Sequence, residues 1–316
     1  MTEKPSLIPH DHLNPRPRSR SRLWARIAVA PITVAAVAAT VWAAGLPVPG
    51  LDAAPAAAAA GTHRTSADRA KTAFRVASFN ALGASHTGPH SQRPRFATGS
   101  TRAPWAVRLL EGADITVAGL QEFQPPQIRV FNRVADGWKA WPGLGSRAGV
   151  NSLVWRTSVW RRVETHTLDI PYFGGRDVPM PYVLLRNVDT GRRVWFANFH
   201  NPADAHGPAQ RWRNQAVRRE VALVNRLNAH GTPVVVTGDF NDREAFFCPL
   251  AHGAGVTSAD GSRLTRNGCS VARHAGVDWI VGTRKDLSFS NFHRVRGRMV
   301  ARTSDHPFVW ARATVH

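Results

Sequence analysis

Acidic, amide and histidine side chains follow several apolar runs of this sequence, and their types are those that hold metal ions and move protons. The apolar residues 233–236 lead directly into TGDFND, which holds Asp239 and Asn241. A turn explains a glycine and one acid after a strand, but not a phenylalanine between an acid and an asparagine. Residues two apart on extended backbone point the same way, which predicts that Asp239 and Asn241 share a face while Phe240 enters the core.

The same pattern recurs along the chain, because polar residues stand where apolar runs end or begin. The complete set is Asn80, Glu122, His200, Asp239, Asn241, Asp278, Asp305 and His306. Carboxylate and amide oxygens suit a hard divalent cation, and histidines beside acids suit proton transfer near neutral pH. Taken singly, each residue also has an ordinary structural explanation as a turn, a cap or a packed side chain.

The elements that must position these residues mix strands and helices without strict alternation. The predicted strands are residues 74–82, 114–121, 149–156, 160–168, 181–188, 192–199, 233–237, 277–282 and 307–313. The predicted helices are residues 104–111, 125–135 and 208–228. This mixture predicts an α/β domain over residues 72–316, with mixed sheets and helices packed outside them.

Three details of this prediction concern neighbouring segments. The strands at 149–156 and 160–168 are expected to lie side by side, and those at 181–188 and 192–199 to form a hairpin. Residues 85–100 are predicted as a long loop that leads to Pro104 in the first turn of a helix. If the strands share one or two packed sheets, the polar groups at their ends converge on one rim.

The N-terminal part indicates export. Residues 1–22 are polar with a basic cluster, residues 23–46 are almost entirely apolar, and residues 47–71 form a linker rich in proline and alanine. A basic flank before an apolar stretch is typical of a cleaved signal or of a single membrane-anchoring helix, and both alternatives stay open. The basic flank predicts that residues 72–316 lie outside the cell, either released or at its surface.

The charge balance favours a polyanionic partner. The chain has 41 Lys and Arg against 21 Asp and Glu, a formal net charge of +20. Such an excess is typical of proteins that bind nucleic acid or anionic lipid. Arginine supplies nearly all of the positive charge, so an arginine-rich genomic composition is an alternative explanation.

The two cysteines, Cys248 and Cys269, predict one disulfide. A lone pair of cysteines in an exported chain commonly bonds, and the loop that it would close is worth roughly 3 kcal/mol. Two isolated thiols without a nearby set of further cysteines and histidines make a poor zinc site.

Taken in chain order, the motifs SFNAL, LQEFQ, NFHNP, TGDFND, GVDWI and SDHPFV resemble those of the endonuclease/exonuclease/phosphatase superfamily. That superfamily includes deoxyribonucleases, abasic-site endonucleases, bacterial sphingomyelinases and inositol-phosphate phosphatases. The resemblance covers about residues 74–310. It implies a four-layered α/β sandwich, in which helices flank two mixed β-sheets, and a hydrolase of phosphoric esters. We also expect a monomer.

The resemblance implies a metal site around Glu122. This glutamate matches the main ligand of Mg²⁺, for which Mn²⁺ or Ca²⁺ are alternatives, and Asn80 lies beside it in the family pattern. Asp305 matches a further carboxylate on the metal side, which binds directly or through water.

The remaining matches imply roles in proton transfer and phosphate binding. His306 would act on the attacking water or on the phosphate, and the His306–Asp278 pair would activate the water, with Asp278 fixing the tautomer. Asp239 and Asn241 would orient the water and hold phosphate oxygens, while His200 would contact the scissile phosphate from the other side.

One departure from the family pattern concerns the partner of His200. Deoxyribonuclease-like members carry an acid upstream that supports this histidine, whereas the stretch SRAGVNSLVWR holds none. Asn151 is the candidate substitute, and we expect Asn151 and Asn201 to contact the substrate.

Three functions fit the sequence. Export and high arginine content favour an extracellular nuclease acting on DNA or RNA. The alternative is a sphingomyelinase-like or other phosphodiesterase of lipids or small molecules, for which Tyr172 and Phe173 are the only candidates for an apolar hairpin. A polyanion-binding module without catalysis is the third possibility.

Overall fold

β-strands dominate the fold of this computed structural model, which describes residues 71–144 and 150–316. In chain order the strands are β1 (Thr72–Asn80), β2 (Val117–Gln121), β3 (Trp138–Trp141), β4 (Ser152–Arg156), β5 (Trp160–Pro171), β6 (Asp177–Asn187), β7 (Arg193–His200), β8 (Val234–Asp239), β9 (Val256–Ser258), β10 (Arg263–Thr265), β11 (Gly268–Ser270), β12 (Asp278–Thr283), β13 (Leu287–Val295) and β14 (Phe308–Val315). The helices are α1 (Gly99–Gly112), α2 (Pro125–Val134), α3 (Gln210–Asn228), α4 (Glu244–Ala254) and α5 (Arg298–Thr303).

The basic flank at 1–22, the apolar segment at 23–46 and nearly all of the linker at 47–71 lie outside the described residues. Among the helices within the described ranges, none has the length and apolar character needed to cross a membrane.

Two six-stranded sheets form the centre of the molecule. The first sheet has the order β13-β14-β1-β2-β4-β3, and the second has the order β5-β6-β7-β8-β12-β9. Both are mixed, because β1–β2 and β7–β8 are parallel and the other pairs are antiparallel. Strands β6 and β7 form the hairpin that the sequence predicted.

Apolar side chains fill the space between the sheets and the spaces beneath the helices. Phe74, Trp160 and Phe196 make edge-to-face contacts between the sheets. Helices α1, α2 and α5 pack on the outer face of the first sheet, and α3 and α4 on the outer face of the second. The four-layered α/β sandwich is therefore confirmed.

The strands at 149–156 and 160–168 were wrongly expected to lie side by side. β4 pairs with β2 and β3 in the first sheet, whereas β5 pairs with β6 in the second. Trp155 and Trp160 both enter the core between the sheets. The short connection between them therefore carries the chain from one sheet to the other instead of closing a hairpin.

The first helix begins earlier than predicted. α1 starts at Gly99, because the side chain of Thr98 caps it by accepting a hydrogen bond from the Thr101 amide at 3.3 Å. Pro104 therefore lies inside the helix and not in its first turn.

A disulfide joins Cys248 on α4 to Cys269 on β11. Their Cα atoms lie 5.7 Å apart. The bond ties the small β10–β11 hairpin to the helix that covers the second sheet.

Strand direction brings the predicted polar residues to one rim of the sandwich. The parallel strands β1 and β2 end there with Asn80 opposite Gln121, and the parallel strands β7 and β8 end with His200 opposite Asp239. β12 runs the other way, so it begins there with Asp278 opposite Asp239.

Candidate active site

Asp239 lies at the centre of the converging residues. Its side chain is 1% exposed, and its Oδ2 accepts a hydrogen bond from Asn80 Nδ2 at 3.0 Å. The same oxygen lies 3.7 Å from Nε2 of His200 and 3.6 Å from Nε2 of His306. One carboxylate oxygen thus faces two histidines that belong to different sheets.

His306 is held by Asp278. Its Nδ1 lies 2.9 Å from Asp278 Oδ1, and this contact directs Nε2 towards Asp239. Burial alone would lower the pKa of His306, but the hydrogen bond to Asp278 and the charges of Asp278, Asp239 and Asp305 raise it to about 10. The ring is therefore a strong proton acceptor and is mostly protonated at neutral pH.

Glu122 follows β2 in a left-handed conformation, with φ at 54°. Few residues other than glycine adopt it, so the contacts of the side chain must hold it there. Its Oε2 accepts from the Gly83 amide at 2.8 Å, and its Oε1 accepts from Asn80 Nδ2 at 3.2 Å. Burial would raise the pKa of Glu122, but the His200 charge and these hydrogen bonds outweigh it and lower the pKa. Glu122 is thus a carboxylate at neutral pH.

Asn80 connects the two carboxylates through its amide nitrogen. Nδ2 donates to both Glu122 and Asp239, while Oδ1 accepts from the Leu82 amide at 3.0 Å. The amide oxygen therefore points away from the acids. In this arrangement Asn80 orients the carboxylates. Its side-chain amide would have to rotate by about half a turn to present Oδ1 to a cation.

Asn241 does not lie on extended backbone as the sequence suggested. Its φ is 49°, and its amide donates to Asp239 Oδ1 at 3.0 Å, which closes a tight turn after β8. Its side chain donates to the Asn201 carbonyl at 2.9 Å. Phe240 is fully buried and stacks on Phe246 with ring centres 3.5 Å apart. The phenylalanine anchors the turn, but the premise that positions 239 and 241 share an extended face was wrong.

Asp305 is an exposed residue that pairs with an arginine. Arg93 Nε donates to its Oδ2 at 3.1 Å. Its charge contributes to the raised pKa of His306, so it lies close enough to act electrostatically. It would have to exchange Arg93 for a cation to become a direct ligand.

His200 has a tyrosine partner that sequence reasoning missed. The Tyr172 hydroxyl lies 3.4 Å from His200 Nδ1, and the two rings meet edge to face. Burial, followed by the charges of Glu122 and Asp239, raises the pKa of Tyr172, so the hydroxyl keeps its proton. Tyr172 is therefore the side chain beside Nδ1 of His200, for which the sequence offered no acid.

Asn151 and Asn201 are both buried. The Asn151 amide donates to the sulfur of Met180 at 3.3 Å instead of contacting a histidine. Asn201 is fully buried, and its amide lies beside the carboxyl of Glu220 without an ideal hydrogen bond between them. Their burial is similar to that of Asp239 and His200, and their contact with substrate stays a prediction.

Glu220 is a buried acid that sequence reasoning also missed. It lies on α3 and has no exposed surface. Burial raises the pKa of Glu220 to about 8, and the Asn201 side chain acts in the opposite direction. It follows Ala216 by four residues and precedes Val224 by four, so its place on the apolar face of α3 was a sequence signal that was missed.

Arg102 and Ser304 hydrogen-bond the two segments that follow β1 and precede β14. The buried guanidinium of Arg102 donates to the carbonyls of Ala81, Leu82 and Thr303. Ser304 Oγ donates to the Asn80 carbonyl at 2.6 Å. The serine of the SDH motif was a signal for the second contact, whereas nothing in the sequence marked Arg102.

Two places in the site fit a divalent cation by their donor chemistry. Within residues 71–144 and 150–316, Asp239, Asp278 and His306 offer ligand atoms within 4.8 Å of one another. Glu122 supplies a second, ionised carboxylate, linked to Asp239 through Asn80. Carboxylate oxygens of this kind are the ligands that hard divalent cations prefer.

The sequence profile of the endonuclease/exonuclease/phosphatase family matches residues 77–306. The chain belongs to this family. Members hydrolyse phosphoric esters with a divalent metal ion, and this chain is accordingly a metal-dependent phosphoric ester hydrolase. No curated protein sequence matches it significantly.

Several solved structures share the fold. An endonuclease/exonuclease/phosphatase family protein from Bacteroides thetaiotaomicron has a TM-score of 0.60 at 17% identity, covering 78% of this chain and 99% of that one. A mannosyl-6-phosphatase from the same organism has a TM-score of 0.58 at 19% identity, covering 76% and 99%. D. rerio TDP2 complexed with a single strand DNA product has a TM-score of 0.53 at 15% identity, covering 77% and 99%. At these identities the likeness shows the fold alone.

Proposed function

We propose that this hydrolase is a phosphodiesterase and that it acts as an extracellular nuclease. The observation that carries the proposal is the position of Asp239, whose Oδ2 lies between Nε2 of His200 and Nε2 of His306. Ionised Glu122 lies on the far side of Asn80 from this group. The site therefore combines a metal-binding carboxylate with two histidines that face one reaction centre.

The side chains divide the reaction between proton transfer and phosphate binding. His306 Nε2 takes a proton from water, while Asp278 holds the ring at Nδ1 and stabilises its charge. Asp239 Oδ2 orients that water, and His200 Nε2 donates to a phosphoryl oxygen. Glu122 would hold a divalent cation, which would supply charge neutralisation at the phosphoryl oxygens and at the leaving oxygen.

We place the cation at Glu122 and not at the group of Asp239, Asp278 and His306. The charges of Asp278 and Asp239 favour the protonated form of the His306 ring, and this proton competes with a metal ion for the ring nitrogens. Its Nδ1 is also occupied by Asp278. Mg²⁺ is the expected ion because the donors are hard oxygens, with Mn²⁺ and Ca²⁺ as alternatives.

Titration of activity with Mg²⁺ tests this position. Glu122→Gln should raise the Mg²⁺ concentration needed for half-maximal activity by at least about tenfold, because a ligand carboxylate loses its charge. Glu111→Gln, an exposed acid on α1, is the matched control. Equal titrations for both variants would place the cation elsewhere.

Nucleic acid is the favoured substrate. The formal net charge of +20 favours a polyanion, and the similar TDP2 structure contains single-stranded DNA. A small phosphoester is the second candidate, because a mannosyl-6-phosphatase shares the fold. A lipid is less favoured, since Tyr172 packs against His200 and Phe173 against His206 instead of projecting as an apolar hairpin.

A substrate panel separates these classes. The full chain should nick supercoiled plasmid or cleave RNA with Mg²⁺ or Mn²⁺ and lose this activity in EDTA. Turnover of only sphingomyelin vesicles or sugar phosphates would contradict the nuclease proposal. It would remain consistent with a phosphoric ester hydrolase. Salt-sensitive binding of polyanions without any turnover would support the non-catalytic alternative instead.

Export is a further part of the proposal. Its support is the basic and apolar N-terminal pattern, together with the Cys248–Cys269 disulfide, since disulfides persist in oxidising compartments. Mass spectrometry of the chain from cells and from medium tests it. A cleaved chain in the medium supports a signal, an intact chain in membranes supports an anchor at 23–46, and a cytoplasmic chain contradicts export.

A further inference from the structure

Two adjoining depressions extend from His306 along one side of the molecule. The first has a volume of about 230 Å³ and is lined by residues that include His306, Arg296, Phe96 and Ala301. The second has a volume of about 430 Å³ and shares Phe96 and Ala301 with the first. We call the two together the arginine trough and define it by Arg95, Phe96, Trp105, Arg296, Ala301 and Arg302.

The trough carries positive charge that the described part of the chain does not neutralise. Arg95, Arg296 and Arg302 are exposed, and none of them pairs with an acid among residues 71–144 and 150–316. The acid at the His306 end, Asp305, is already paired with Arg93. Unpaired arginines beside a phosphate-cleaving site complement a ligand with several phosphates.

Aromatic rings lie among these arginines. Phe96 is half-buried where the two depressions meet, and Trp105 is half-buried in the second. The Arg302 guanidinium lies 4.9 Å from the centre of the Trp105 ring. Alternation of cationic and aromatic side chains is typical of surfaces that bind single-stranded nucleic acid, because phosphates pair with arginines and unstacked bases stack on rings.

We propose that the arginine trough binds a single-stranded segment of nucleic acid that runs from the scissile phosphate at His306 towards Trp105. The inference rests on the proposed nuclease function and names its substrate class. Arg296 and Arg95 contact backbone phosphates, and Phe96 and the Arg302–Trp105 pair stack with bases. A duplex keeps its bases stacked on each other, so it cannot use these rings.

Fluorescence anisotropy with a labelled oligonucleotide of about ten nucleotides, in EDTA to prevent turnover, tests the trough. The double variant Arg95→Gln/Arg296→Gln of the full chain, which removes the two phosphate-contacting arginines, should raise the Kd for the single strand at least about tenfold. It should also reduce the slope of log Kd against log salt by about 1.4, since each lost phosphate contact removes about 0.7. The matched duplex should bind more weakly to the unaltered protein and respond less to the double variant.

A charge-matched variant controls for net charge. Arg161→Gln/Arg162→Gln removes two exposed arginines from β5, at the end of that strand remote from Tyr172. It should change the Kd by less than about twofold, as expected for surface charges outside the contact. Equal losses in the two double variants would overturn the trough, and so would equal binding of single strand and duplex.

Hydrolysis of bis(p-nitrophenyl) phosphate with Mg²⁺ or Mn²⁺ separates this inference from the proposed function, because so small a diester does not reach the trough. If the protein hydrolyses the diester but the double variant of the trough binds the oligonucleotide with an unaltered Kd, the trough does not bind nucleic acid. The phosphodiesterase activity would still be supported. No turnover of the diester would overturn the proposed function, and with it the trough as a substrate site.

Discussion

Nδ1 of His306 lies 2.9 Å from Oδ1 of Asp278, and this contact joins the two sheets at their shared rim. His306 precedes β14 of the first sheet, whereas Asp278 begins β12 of the second. Each sheet thus contributes one member of the proton-transferring pair. The pair exists only when the sandwich is closed, so the packing of the core directly sets the geometry of the site.

The raised pKa of His306 predicts an alkaline rise in activity. A base must be unprotonated, so kcat/KM should increase with pH until His306 has lost its proton. The inflection should lie above 6.5, the ordinary value for histidine, and not beyond about 10. The initial rate of diester hydrolysis at saturating Mg²⁺ across this pH range checks it. Activity that falls through the same range would make His306 a proton donor instead.

Tyr172 should set the tautomer of His200. A protonated hydroxyl at Nδ1 leaves the ring proton on Nε2, where it can donate to a phosphoryl oxygen. Tyr172→Phe should lower kcat/KM about fivefold, the equivalent of one hydrogen bond of about 1 kcal/mol. It should also change the nitrogen NMR signals of His200.

Phe173→Leu is the control for Tyr172→Phe, since Phe173 packs against the same tyrosine but offers no hydroxyl. It should leave the His200 signals in place. Unaltered kinetics and unaltered NMR signals in Tyr172→Phe would mean that the hydroxyl does not act on His200.

Glu220 should make the folded chain less stable as pH rises. Its pKa is raised from 4.5 in the unfolded chain to about 8 in the folded one, so the folded state holds a proton that the unfolded state releases. Between these values its contribution to the free energy of unfolding falls by about 1.4 kcal/mol per pH unit. Glu220→Gln removes this dependence, so the stability difference between variant and parent should grow with pH in urea unfolding. A difference that is constant with pH would contradict the buried proton.

The disulfide should stabilise the chain by restricting the unfolded state. Cys248 and Cys269 are 21 residues apart, and closing such a loop is worth roughly 3 kcal/mol. Cys248→Ser/Cys269→Ser should lower the free energy of unfolding by that amount. Reduction of the parent protein should match it, and reduction of the double variant should change nothing further. Equal stability with and without the bond would contradict this role.

The sequence predicted the rim of the sandwich well because strand ends follow a simple rule. Apolar runs identify strands, and parallel strands bring their carboxyl ends to the same edge. The order of residues along the chain was therefore enough to group Asn80, Glu122, His200, Asp239 and the SDH motif. The family resemblance then supplied the four-layered architecture, which spacing alone does not determine.

The parts that the sequence did not predict depend on tertiary contacts. Tyr172 reaches His200 from the end of β5, a distance along the chain that no local pattern encodes. Arg102 precedes the predicted start of its helix, and Glu220 is an acid on the apolar face of α3; both are buried. The left-handed backbone of Asn241 depends on its hydrogen bond to Asp239. The alternation of side-chain directions along a strand therefore could not predict it.

The most direct test of the central claim is the rate of bis(p-nitrophenyl) phosphate hydrolysis by the parent protein, His306→Ala and Asp278→Asn, each with Mg²⁺ and with EDTA. We predict turnover by the parent only with the metal, and a loss of about 10²–10⁴ in kcat in His306→Ala, since a positioned base contributes that much. Asp278→Asn should lose nearly as much, because the two residues act as one unit. Metal-independent turnover, or an unchanged rate in His306→Ala, would contradict the account.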